Sequence, residues 1–305
     1  MAISLRIILM VLTATVMLSC TSKEEKIVQE LTGYHSQVEQ KLSALRIHVD
    51  KGRLRNILIL NTYADVVQKD RPEMRELIDA LRMDTTSKGP VYQSLVLRLS
   101  EAKKKIPSVA KAGVGASKQL TSEFNSLMYA ASIEQYNLML TDAINVLAGM
   151  SNRKLGRIND RSKASANLGV APPAGSELVG NPTYGSWQSN SSGTSFWAFY
   201  GQYAFFSRLF SGPVYYSSWS TNRYPSYYNN AGRNYYTSPS HQQRYQKTEA
   251  RVKKNYAKQG KSFKSPYAKS SSSTLSGSKL SSTKSSPYNS RSFSSSSRSY
   301  SSGGK

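Results

Sequence analysis

The chain holds one cysteine and three histidines in 305 residues, and that scarcity excludes several kinds of chemistry. A lone Cys20 leaves no disulfide framework. His35, His48 and His241 are not spaced as metal ligands, and no H-E-x-x-H occurs. A G-x-S-x-G elbow and a phosphate-binding glycine loop are missing too. Ser100-Glu101-Ala102-Lys103 and Ser151-Asn152-Arg153-Lys154 match the S-x-x-K of penicillin-binding enzymes, but their K-T-G and S-D-N companions are absent. In a chain this rich in serine and lysine such matches arise by chance. With no nucleophile, base and orienter in one constellation, the chain is expected to be non-enzymatic: no catalytic residue, metal ligand, cofactor or small-molecule substrate. Long apolar runs are also lacking. The run from Ile7 to Leu18, broken only by Thr13 and Thr15, is too short to cross a bilayer.

That run follows the basic Arg6 and has the length of a signal-peptide h-region. It ends in Met17-Leu18-Ser19-Cys20, which is not the A-x-A-like site of an ordinary secretory peptide. These residues resemble the lipobox of the bacterial lipoprotein signal, with Ser19 as the small residue before the cut. The resemblance covers residues 1–20 and implies a diacylglyceryl group on Cys20, removal of residues 1–19 and acylation of the new amino terminus by a chain such as palmitate. Two or three acyl chains hold a protein on a membrane stably where one does not. Thiolate metal sites and cysteine nucleophiles then disappear with the thiol. Thr21 is not the aspartate that retains lipoproteins in the inner membrane of enteric bacteria, so the resemblance implies a lipid-anchored protein of the cell envelope, at the outer membrane.

What is present begins with helix periodicity. Ser22 and Glu25 form a capping-box pair, followed by Ile27, Leu31, Tyr34, Val38, Leu42, Leu45 and Val49 at steps of three and four. Gly52 interrupts that stripe, Asp70 reads as an N-cap before Pro72, and a further helix is predicted to stop before Pro107. After a loose linker, one long helix is predicted from Gln119 to Met150. The fold class is mainly α, a bundle of about four helices in residues 20–155 that is expected to fold alone.

The remainder changes character. Residues 156–183 read as a linker and 184–240 as an aromatic segment that holds Trp187, Trp197, Trp219 and half of the 20 tyrosines. Between Tyr184 and Tyr236 there is no acid at all, and the cations are Arg208, Arg223 and Arg233. Two readings of 195–210 compete: packing onto the helices, which apolar aromatics favour, or an interfacial segment. Candidate contacts to membrane or polymer are Trp197, Tyr200, Arg208, Trp219, Arg223 and Arg233. Residues 241–305 carry 14 Lys and Arg against one acid, Glu249, out of a net charge of +23. Hardly an aliphatic residue follows Val252, so this stretch is expected to be a disordered cationic tail. Its tyrosines, among them Tyr245 and Tyr256, are candidates for stacking. Expected partners are the membrane through the lipid, then anionic polysaccharide, acidic lipid or extracellular DNA. An alternative gives the helices an envelope protein as partner and leaves the tail as a spacer.

Overall fold

Ser22 opens the first helix as its sequence predicts. The Ser22 hydroxyl accepts from the Glu25 N–H at 3.1 Å, and the Ser22 N–H donates to Glu25 Oε2 at 2.7 Å. The computed structural model describes residues 22–158, 173–221 and 225–267, so the lipobox lies outside it. Helix α1 spans Lys23–Asp50 and buries Ile27, Leu31, His35, Val38, Leu42, Leu45 and Val49. Tyr34 sits half-buried at the border of that stripe, its ring 6.5 Å from that of Phe124. Gly52, at φ 61°, ends the helix outright.

Helix α2 (Arg55–Asp70) ends on the residue expected to cap its successor. Asp70 instead pairs with Lys154 at 2.7 Å, and Pro72 opens a short 3-10 turn ahead of α3 (Arg75–Arg82). Helix α4 (Pro90–Ala112) starts after Gly89, where an added Cβ would fall 2.2 Å from the Met83 carbonyl oxygen. Only glycine fits there. The helix does not stop before Pro107 but runs through it. Pro107 lies on the solvent side, where the freed carbonyl can turn to water, while Ile106 and Ala110 keep the flanking turns buried. The expected linker shrinks to Gly113, φ 87°, and α5 (Val114–Ala130) begins at once.

The single long helix expected up to Met150 is divided into α5, α6 (Ile133–Met139) and α7 (Thr141–Met150). Ser132 caps α6 by accepting from the Gln135 N–H. Helices α1, α4 and α5 pack on one another, and α2 packs with α3 and α7. Three bundled helices therefore stand beside a second group. Helix α7 is buried on every side from Thr141 to Ala148, which marks it as the middle of something larger.

What lies on its other side is the aromatic segment. Strands β1 (Gly185–Ser189) and β2 (Ser195–Phe199) pair antiparallel with Trp187 opposite Trp197. A 3-10 stretch (Gly201–Leu209), α8 (Tyr216–Thr221), a π-turn (Tyr228–Gly232) and α9 (Arg233–Tyr236) follow. Tyr184, Tyr203, Phe206, Tyr228 and Tyr236 join the same buried cluster as the helices. Within 195–210, Trp197, Tyr203 and Phe206 pack into the protein, while Tyr200 and Arg208 stay exposed. Gly175 to Pro182 is buried as well, so that part of the expected linker belongs to the core.

The start of the expected disordered tail is helical instead. Residues Pro239–Lys258 form α10, capped by the Ser238 hydroxyl accepting from the His241 N–H at 3.2 Å. Tyr245, Thr248 and Val252 are its buried stripe. Few apolar residues suffice because Tyr245 also donates its hydroxyl to the Gly180 carbonyl at 2.8 Å. Residues 268–305, the rest of the expected tail, lie outside the described residues. The described chain up to Pro266 is one compact unit.

Candidate functional site

Tyrosine gives this fold a way to join distant segments, since a ring buries like phenylalanine while its hydroxyl satisfies a remote carbonyl. Tyr136 donates to the Asp84 carbonyl at 3.2 Å, Tyr236 to the Ala130 carbonyl at 2.9 Å and Tyr92 to the Leu42 carbonyl at 3.0 Å. Eight tyrosines among the described residues are buried in this way or by packing alone.

Three acids are fully buried at the seam between the helices and the aromatic segment: Asp84, Asp142 and Glu177. Asp84 accepts from the Tyr184 hydroxyl at 2.8 Å and the Val91 N–H at 3.2 Å. Burial pushes it up to about 7, against the pull of those two donors. Asp142 on α7 accepts from the Tyr227 N–H at 2.6 Å and the Tyr228 N–H at 2.9 Å, and burial likewise raises it to about 7. Glu177 is also raised by burial, with Arg157 bound to it as a counterweight. Perturbed carboxylates often mark active sites, but these three lie at zero exposure beneath packed tyrosines. They fasten the two halves. Among the described residues no group of three or more His, Cys, Asp or Glu could hold a metal ion, and no helix is long and apolar enough to cross a membrane.

The candidate contact residues are not brought together. Trp197 and Trp219 are 4% and 5% exposed, which withdraws both from any external partner. They surround Trp187, whose ring lies 5.1 Å from Trp197, 5.0 Å from Trp219 and 4.7 Å from Tyr216. Tyr200 and Arg208 are exposed, Arg208 lying 5.3 Å over the Phe205 ring. Arg233 is half-buried, and Arg223 and Cys20 lie outside the described residues.

Helix α10 presents a cationic surface of its own. Its exposed face carries Arg244, Lys247, Arg251, Lys253, Lys254 and Lys258. The one acid on the helix, Glu249, is half-buried and accepts from the Tyr216 hydroxyl at 3.3 Å. Tyr245, offered by the sequence as a stacking ring, is buried, and Tyr256 packs against Phe263 with 5.5 Å between centroids. Sequence reasoning missed this helix, although Ser238-Pro239 is a helix-start signal. Comparison with known proteins finds no family model that matches the chain, no similar curated protein and no similar solved structure.

Proposed function

We propose that this chain is a non-enzymatic bacterial envelope lipoprotein, tethered through lipid on Cys20, with a structural or adaptor role. Its cationic C-terminal region engages anionic surface polymers or membrane. The observation that carries the reading is α10: a helix seated on the body by Tyr245 and Val252 whose exposed cations are left unbalanced by acids of its own. The basic residues beyond it, eight from Lys261 to Lys305 with no acid among them, extend the same charge. Such binding draws on counterion release and is strongly salt-dependent.

Two measurements test this. The mature chain should sediment with an acidic polymer at 50 mM salt and lose on the order of a thousandfold in affinity by 200 mM if about six charges engage a partner of duplex-like charge density. Removing residues 267–305 should reduce the binding while preserving the fold, whereas truncation after Pro239 would strip a packed helix and confound the result. Equal binding of acidic and neutral polymers would contradict the reading. For the tether, Cys20→Ser should leave an unprocessed precursor without lipid, and a free Cys20 thiol in the mature wild type would contradict it.

A further inference from the structure

Within α10 the cations are ordered. Arg244, Lys247, Arg251, Lys254 and Lys258 follow one another by three or four residues. At about 3.6 residues per turn and about 1.5 Å rise each, they form a single row within an arc of about 80°, about 21 Å long, with steps of about 4.5 to 6 Å. Every one of them is exposed. Arg251 reaches the hydroxyl of Ser189 at the end of β1, which sets the hairpin beside the row. The hairpin tip is exposed and neutral-polar: Gln188, Asn190, Ser192 and Thr194. None of Arg244, Lys247, Lys254 and Lys258 is paired with a carboxylate among the described residues.

We infer that this row, with the hydroxyl and amide groups of the hairpin tip, is a docking surface for a linear acidic polysaccharide of the polyuronate type. The inference rests on the polyanion reading above and names its partner. A chain bearing a carboxylate on each sugar offers a line of charge spaced by one saccharide, and its remaining hydroxyls need donors and acceptors like those of the tip. A single-stranded nucleic acid fits less well because its bases need stacking rings. Tyr245 is buried and Tyr256 is engaged with Phe263. An acidic membrane fits less well because interfacial helices add apolar or aromatic residues beside their cations. The exposed positions flanking this row are Gln243, Gln246, Ala250, Lys253 and Ala257.

The test uses the full mature chain with alginate as the polyuronate, oligothymidylate as the nucleic acid, acidic phospholipid vesicles as the membrane and dextran as the neutral glycan. A row variant, R244Q/K247Q/K254Q/K258Q, is compared with a control that removes equal charge elsewhere, K51Q/K69Q/K104Q/K118Q, all four exposed and outside the ion pairs. The row variant should lose about tenfold or more in alginate affinity and show a shallower salt slope, while the control loses only a few-fold. Arg251 is kept so that its contact with Ser189, and the seating of the hairpin, survive. Equal losses in the two variants, or tighter binding of oligothymidylate or vesicles than of alginate, overturn the inference while the polyanion reading stands. Failure of the wild type to bind any of the three anionic probes overturns both.

Discussion

Asp142 meets two backbone donors in a dry place, and the balance of those effects has a measurable sign. Burial raises its folded value to about 7 from the ordinary 3.8, despite the N–H groups of Tyr228 and Tyr227. Between those values the folded chain holds a proton that the unfolded chain has released. Its contribution to stability is therefore fully present below 3.8 and is lost as pH rises through about 7. Asp84 and Glu177 act in the same direction, whereas burial lowers His35 and His241, which destabilises the fold as pH falls below 6.5. In Asp142→Asn the decline in thermal midpoint between about pH 5 and about pH 8 should be shallower than in wild type. Parallel profiles would contradict this account of Asp142. The substitution should also cost about 1–3 kcal/mol, because an amide offers one acceptor oxygen to two N–H groups. None of this was legible in "LTDAIN": the partners of Asp142 lie 85 and 86 residues away. The Ser22–Glu25 capping box was legible because its partners are three apart.

At the level of elements, periodicity revealed the helices and their faces, and the ends were harder. Pro107 looked like a stop and is tolerated because its helix face meets water. Helix α10 looked like part of a disordered tail because its stripe is Tyr245, Thr248 and Val252, too sparse for a count of aliphatics. The same limit hid what the stripes of the N-terminal helices pack against. Residues 22–155 have the repeat of a self-sufficient bundle, yet Tyr184, Tyr203, Phe206, Tyr228 and Tyr236 complete their core. Expressed alone, that fragment should expose this seam and behave as a loosely packed helical state that binds hydrophobic dyes. Residues 22–266 should fold with a sharp transition. A cooperative, dye-free unfolding of the short fragment would contradict the role given to the aromatic segment.

For the whole molecule, the seam decides where function can reside. If the rings were a separate sticky segment, Trp197 and Trp219 would be available to a membrane or polymer. Because they pack around Trp187 and are almost fully buried, neither is offered to a partner, and the cationic face of α10 is the candidate surface. The sequence distributes its probes to suit a direct test. All three tryptophans lie between Tyr184 and Tyr236, whereas α1 to α7 all lie before Ser151. Urea unfolding of residues 22–266, followed by tryptophan fluorescence and by far-ultraviolet circular dichroism, therefore reports separately on the two halves. One core predicts superimposed transitions with a common midpoint and slope. A tryptophan transition that is complete before the helical signal begins to change would contradict the shared core, and with it the assignment of the binding surface to α10.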